Sequence, residues 1–296
     1  MRAVKRFTLM LSAMLLNAVL LADYAQAQCT QQSLRIAVIP KKSMDELLKE
    51  QKPLIDRLSR ATGIAVEIVP SSSYESVVDA IVSGGVDIAW LGPASYLLAY
   101  QRDPRIEPFA SLTISRGYFT PAGHDYQALL LVRREVASDV QALRGKRVVL
   151  TDPASTSGNI IPNAEFSDTV GMPLARFFGS IAYSGSHDKS LDALLAGKAD
   201  AAFVSSVRAD EYLKRGLIDR DTFNVLWRSS SIYYDPFVFS GTLCGALKER
   251  IRTAMLSDQA GLATFLESQE ATGIVPVSHA EYAPLLRSMQ ATSPAK

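Results

Sequence analysis

The chain has 296 residues, 48% of them hydrophobic, with 31 Lys+Arg against 30 Asp+Glu and a formal charge of +1. That balance excludes a nucleic-acid binder working through bulk positive charge, and the apolar fraction excludes a disordered chain. Two cysteines exclude a disulfide-dense scaffold and a four-cysteine zinc site, while the length calls for two lobes rather than one core.

Residues 1–27 read as a signal peptide. Arg2, Lys5 and Arg6 make a positive start, residues 7–21 are apolar apart from Thr8, Ser12 and Asn17, and Ala25-Gln26-Ala27 puts small residues where a signal peptidase cuts. A membrane anchor is the rival reading, but a run of about 15 apolar residues falls short of the roughly 20 that span a bilayer. Cys29 raises a lipoprotein alternative, for which Gln26-Ala27-Gln28 is a poor lipidation box. Cleavage after about Ala27 and a soluble, exported protein are therefore expected. In that oxidising compartment Cys29 and Cys244 are expected to bridge.

The body alternates strands and helices. Residues 34–39 form an apolar strand. Ser43 and Glu46 mark a capping box for a helix that Gly63 ends. A strand over 64–69, a helix over 74–82 stopped at Gly84-Gly85, and a strand over 86–90 follow. Pro93 suits the first turn of a helix to about 100. This rhythm predicts parallel sheets with helical crossovers. A second series begins with strands over 126–132 and 147–150. It continues with a helix over 157–170, a strand near 181–183, a helix over 189–196, a strand over 199–204, a helix over 209–215 and a strand over 223–227. Residues 237–239 read as a return strand, and the rest as mainly helical. An echo links the two series: residues 77–89 and 190–202 each carry an amphipathic helix, a glycine stop and a strand opened by an aspartate, Asp87 and Asp200.

The chemistry gathers at strand-to-helix turns. In Thr151-Asp152-Pro153-Ala154-Ser155-Thr156-Ser157-Gly158 three hydroxyls and a glycine stand where backbone N–H groups lack acceptors. One N-cap needs only one hydroxyl, so the run points to a small anion held by hydroxyls, backbone donors and the helix dipole. His187, in Ser184-Gly185-Ser186-His187-Asp188, can donate from a ring nitrogen. Asp235-Pro236 sits at the expected return crossover and also reads as an ordinary turn pair. Tyr74 and Tyr126 offer phenols, or are core. No phosphate-loop or G-x-S-x-G motif occurs, and His124, His187 and His279 lack metal-ligand spacing. No metal and no cofactor are expected.

The segment Asp152-Pro153-Ala154-Ser155-Thr156-Ser157-Gly158 resembles the D-P-x-S-T-S-G signature of periplasmic phosphonate-, phosphite- and hypophosphite-binding proteins of ABC importers. Ser73-Tyr74, the stretch from Ile88 to Tyr96, Gly185-Ser186-His187 and Asp235-Pro236 follow in that family's order. The resemblance covers residues 34–289 and is strongest to hypophosphite- and phosphite-binding members. It implies a type II periplasmic-binding-protein fold, with each lobe a mostly parallel sheet flanked by helices and the ligand in the cleft, and no catalysis. One lobe would comprise residues 28–125 and 235–296, the other 126–234. It further implies that Ser155, Thr156 and Ser157 hold the anion's oxygens, that Tyr74, Tyr126 and His187 add donors, that Asp235 faces the opposite side, and that Tyr96 contributes more weakly. The partners implied are a small phosphorus oxyanion and the permease subunits, for a monomer that binds no nucleic acid.

Aminoethylphosphonate binders of the family carry a Glu where Val207 stands here, so an aminoalkyl ligand is not expected. Trp90, Tyr96, Tyr126, Tyr233 and Tyr234 are expected to surround a compact anion whose P–H bonds rest on rings. The order expected is hypophosphite or phosphite, then methylphosphonate, then phosphate. A sensor-coupled binding protein and a hydrolase using Ser155 or Ser157 with His187 are the alternatives. Four to six hydrogen bonds of about 1.5–3 kcal/mol each, less closure and desolvation costs, reach the roughly 8 kcal/mol of a micromolar site without a buried Lys or Arg. Removing residues 1–27 takes Arg2, Lys5 and Arg6 from the 31 bases and Asp23 from the 30 acids, leaving 28 against 29 and a charge of −1. Local donors rather than global attraction must then hold an anion. Thiol titration of the unfolded, unreduced protein is expected to find no free thiol; two would refute the bridge.

Overall fold

The computed structural model describes Cys29 and residues 31–257 and 259–292, so the expected signal peptide lies outside the described residues. The elements below all belong to the unit Ser33–Lys296. The chain opens with β1 (Ser33–Val38), α1 (Met44–Thr62), β2 (Ala65–Ile68), α2 (Tyr74–Val82) and β3 (Ile88–Trp90). Serines cap both helices. Ser43 Oγ accepts the Glu46 N–H at 3.4 Å and donates to the Glu46 carboxylate at 2.8 Å, so the expected box closes on the hydroxyl rather than on the Ser43 N–H. Ser73 and Ser76 make the reciprocal box on α2. Gly63 ends α1 at φ 76°, in the left-handed region that a Cβ would strain. Next come α3 (Pro93–Arg102) and β4 (Glu107–Ile114).

The second lobe contains β6 (Ala128–Arg133) and β7 (Arg147–Leu150), preceded by the short β5 (Asp125–Tyr126). The helix expected over 157–170 is π-wound over Thr156–Ile160 and Pro162–Phe166 before a single α turn, α4 (Ser167–Val170); Pro162 has no N–H to give an α ladder. The series continues through α5 (Leu174–Phe177), β8 (Ser180–Tyr183), α6 (His187–Leu195), β9 (Ala201–Ser205), α7 (Ser206–Lys214), β10 (Phe223–Arg228) and β11 (Ile232–Tyr233). The chain then returns with β12 (Pro236–Phe239), α8 (Gly245–Leu256), α9 (Ala263–Ser268), β13 (Ala271–Pro276), α10 (His279–Tyr282) and α11 (Leu286–Thr292).

The first sheet has the order β13-β4-β12-β3-β1-β2 and the second β10-β6-β9-β7-β8. Only β2-β1-β3 and β8-β7-β9 are parallel. The other pairings are antiparallel, so both sheets are mixed rather than mostly parallel. Parallel neighbours require a helical crossover, which β6 and β12 lack because each enters from the other lobe. The sequence reading missed β4 and β13, whose runs contain Pro or Gly. Pro108 sits beside the register shift between β4 and β12, and Pro276 ends the edge strand β13; bulges and edges are where a sheet tolerates proline.

The echo in the sequence is structural. On β1, the Arg35 N–H donates to Asp87 at 2.8 Å and the Arg35 guanidinium to the Gly84 carbonyl at 2.8 Å. On β7, the Arg147 N–H donates to Asp200 at 2.9 Å and its guanidinium to the Gly197 carbonyl at 3.1 Å. Strand β6 shows why the second lobe has two core layers. Leu129 and Leu131 pack with α6 and α7, while Leu130 and Val132 pack with Phe166, Phe177 and Phe203, which makes its apolar run continuous.

The chain passes between the lobes twice, and β5 and β11 pair the two crossovers, with Ile232 opposite Tyr126 and Tyr233 opposite Asp125. Neither cysteine is a free thiol, and no helix among the described residues is long and apolar enough to cross a membrane. Asp87→Ala removes the acceptor of a part-buried strand N–H and is expected to lower stability by about 1–3 kcal/mol. Asp200→Ala should cost less, because the Asp200 side chain is 17% exposed against 4% for Asp87, so water can take its place. Urea unfolding of both variants checks the order.

Candidate ligand-binding site

A cavity of about 20 Å³ lies between the lobes. The first lobe supplies Ile39 and Lys41 after β1, Tyr74 at the start of α2, and Gly92 after β3. The second supplies Ser155, Thr156 and Ser157 after β7, His187 opening α6, and Ser205, Val207 and Arg208 at the junction of β9 and α7. The crossovers supply Tyr126, Tyr234 and Asp235. Strand C-terminal ends are where open α/β sheets place ligands.

The turn after β7 is tied by its own side chains. Asp152 accepts the Ala154 N–H at 2.8 Å and, from across the cleft, the Tyr74 N–H at 3.3 Å. Ser155 Oγ accepts the Gly158 N–H at 3.1 Å, and Thr156 Oγ1 accepts the Ala94 N–H of α3 at 2.9 Å. Ser95 Oγ donates to the Ala154 carbonyl at 2.8 Å. Gly158 is required by close approach: a Cβ there would lie 2.2 Å from Thr151 Oγ1.

That same Thr151 hydroxyl lies 3.0 Å from His187 Nδ1, which also accepts the Ser205 N–H at 3.2 Å. Nδ1 is therefore an acceptor, so the proton of the neutral ring sits on Nε2 and serves as the ring's donor. Burial, then the positive charges of Arg208 and Lys41, hold the imidazole pKa down to about 3. Burial and the Asp235 charge push the phenols of Tyr74 and Tyr126 well above their ordinary value, so both remain protonated. The Tyr74 hydroxyl is buried with no hydrogen-bond partner among the described residues.

Seven of the eight expected ligand residues thus come together: Tyr74, Tyr126, Ser155, Thr156, Ser157, His187 and Asp235. Tyr96 does not. It lies one turn beyond the N-terminus of α3, fully buried, with its hydroxyl 2.7 Å from His279 Nδ1 and its ring edge-on to Tyr282. Of the aromatic residues expected around the ligand, Tyr126 and Tyr234 line the cavity and Trp90 lies beneath Lys41, whereas Tyr233 stacks on His124 at the surface.

Two buried basic residues, Lys41 and Arg208, line the cavity although the sequence reading invoked none. Lys41 Nζ donates to Asp235 Oδ2 at 3.1 Å and sits 4.0 Å above the Trp90 ring. Burial draws the Lys41 pKa down and pushes that of Asp235 up, and their mutual contact opposes both shifts. Arg208 is 4% exposed and binds Asp188 and Glu211, and Lys42 binds Glu50 and Glu211. No local signal marked Lys41, whose partner Asp235 lies 194 positions along the chain.

Residues 36–282 match the family described as the periplasmic substrate-binding protein of ABC phosphonate transporters. The chain belongs to this family. The phosphate-import protein PhnD of Mycolicibacterium smegmatis is 26% identical over 270 residues, covering 85% of this chain and 83% of that one. The phosphonates-binding periplasmic protein of Escherichia coli is 24% identical over 232 residues, covering 77% and 66%. Among solved structures, PhnD1 of Prochlorococcus marinus in complex with methylphosphonate superposes with a TM-score of 0.74 at 18% identity, covering 88% of this chain and 97% of that one. A binding-protein component of an ABC phosphonate transporter from Pseudomonas aeruginosa gives 0.77 at 19% identity, covering 89% and 90%. The fold is the type II periplasmic-binding-protein fold, and the family serves ABC import rather than catalysis.

The geometry of His187 agrees with a binding role in such a family. Its Nδ1 is engaged and its Nε2 already carries the proton, so the ring is not set to deprotonate Ser155 or Ser157. The same geometry has a consequence for stability. The folded ring titrates near 3 and the unfolded ring near about 6.5, so between those values the unfolded chain binds the extra proton. The stability gained by keeping the ring neutral is full above about pH 6.5 and is lost as pH falls toward 3. From pH 7 to pH 5 the native protein is expected to lose about 2 kcal/mol more than His187→Gln. Equal losses in urea unfolding would remove this assignment.

Proposed function

We propose that this protein is the exported solute-binding component of an ABC importer and captures a compact phosphorus oxyanion. Hypophosphite or phosphite ranks first, methylphosphonate next and phosphate below. The observation that carries this reading is the Tyr74 hydroxyl, buried and unpartnered in the wall of the cavity. A buried polar group left unsatisfied costs about 1–3 kcal/mol, and an anion's oxygen would satisfy it. The other donors are Tyr126, the hydroxyls of Ser155, Thr156 and Ser157, His187 Nε2–H and the Lys41 ammonium. A cavity of about 20 Å³ admits about one or two water-sized groups, which favours a small tetrahedral ion over one with a long arm. The ring faces of Tyr126 and Tyr234 suit P–H bonds, which seek no hydrogen-bond partner. Phosphate is the second reading, supported by the name of the Mycolicibacterium smegmatis relative.

Binding works by lobe closure. Residues 28–125 with 235–296 turn against residues 126–234 about the paired crossovers, and the closed form is delivered to the permease subunits. The protein acts as a monomer after loss of residues 1–27, and Cys29 pairs with Cys244. Thermal shift with hypophosphite, phosphite, phosphate, methylphosphonate and aminoethylphosphonate tests the ranking, since the true ligand stabilises most. Thr156→Ala and His187→Ala should each weaken binding of that ligand at least tenfold in calorimetry with the fold intact. Unchanged affinity in both would sink the site, and a largest shift with aminoethylphosphonate would sink the ranking.

A further inference from the structure

We infer that Lys41 is a specificity-determining residue whose ammonium occupies the position that a cationic arm of a ligand would need, so that the pocket rejects aminoalkyl phosphonates. The inference rests on the oxyanion-binding reading above. Lys41 is held firmly. Its Nζ lies 3.1 Å from Asp235 Oδ2, 4.0 Å over the Trp90 ring and 5.7 Å from that of Tyr234, and 11% of its side chain is exposed. Its supports are fixed in turn, for Trp90 Nε1 donates to the Asp235 carbonyl at 3.2 Å and the indole stacks on Phe237 at 4.7 Å.

The carboxylates around the cavity already have partners. Asp235 takes Lys41; Asp188 takes Arg208; Glu211 takes Lys42 and Arg208. Asp152 is held by the N–H groups of Tyr74 and Ala154, and Val207 supplies no charge to the wall. A ligand ammonium entering this space would meet a fixed cation with no unpaired carboxylate to receive it, at a depth where charges are poorly screened. A compact anion meets the opposite situation. Lys41 offsets the repulsion of Asp235 and keeps further N–H donors for the anion's oxygens. A buried ion pair contributes little to stability for the desolvation it costs, so ligand selection gives this one a role.

Calorimetry with methylphosphonate, 2-aminoethylphosphonate and propylphosphonate, the last an uncharged arm of similar length, tests this on the native protein, Lys41→Ala and Lys41→Met. The native protein should bind methylphosphonate at least tenfold more tightly than either longer ligand, with the aminoethyl ligand no tighter than the propyl one. In Lys41→Ala, methylphosphonate should weaken at least tenfold, and aminoethylphosphonate should bind at least tenfold more tightly than propylphosphonate, because Asp235 is uncovered. Lys41→Met, closer in volume, should show the same reversal between the two arms should the alanine variant not fold. If both arms gain alike, Lys41 merely fills space and the inference falls while the functional reading stands. If the native protein binds no phosphorus oxyanion, both fall.

Discussion

A parallel strand must hand its chain to a crossover, and the helix that follows begins with N–H groups that its own turns cannot satisfy. The pocket is built on that constraint. In each lobe three parallel strands end on the side of the cleft, so the unsatisfied ends of two βαβ units face one another. The chain answers most of these valences internally. Asp152 and Ser155 cap the turn after β7, Thr156 reaches the start of α3, and Ser205 donates to His187. The Tyr74 hydroxyl remains buried and unpartnered among the described residues. Gly158 shows how tightly the arrangement is drawn, since a single methyl group at that position would displace Thr151 and with it the support of the imidazole.

The pocket divides its electrostatic work between neutral and charged groups. His187 is kept uncharged by burial and by the cations beside it, which makes it a donor whose state does not vary in the neutral range. Charge is supplied in balanced pairs, Lys41 with Asp235 and Arg208 with Asp188 and Glu211. A near-neutral body can in this way present a strong local field without a net positive surface. Its range is short, because each charge has its counter-charge within hydrogen-bond distance. Under the function proposed above, selection would rest on fit within the cavity more than on attraction from a distance.

How much of this could be read from the sequence depends on how far each signal is local. The hydroxyl turn after β7, the cap at Ser43, the glycine stops and the two-lobe echo depend on neighbours within a few positions, and they are in place. Strands β4 and β13 were hidden because their pairing is settled by partners far along the chain, with proline and glycine masking the β pattern. Tyr96 was misplaced because the spacing on α3 leaves open which of two crowded faces meets the cleft. Lys41 was missed for a different reason. A lysine among 31 basic residues carries no mark of burial, and only Asp235, 194 positions away, makes it part of the site. The same distance explains why Asp235 was noticed without its partner.

The pairing of β5 with β11 carries a mechanical consequence. Two independent tethers would let the lobes slide, tilt and separate, but tethers hydrogen-bonded to each other act as one short ribbon. Two-stranded ribbons take a larger twist than wider sheets. The closure proposed above would thereby be narrowed toward rotation about the ribbon. Tyr126 belongs to this ribbon, and Tyr234 and Asp235 follow it directly. In the closure proposed above, the part of the candidate site built on this ribbon would move least, while the donors on α6 and the turn after β7 would travel furthest. Such a hinge would hold one side of a ligand in a nearly stationary frame while the other side is brought to it.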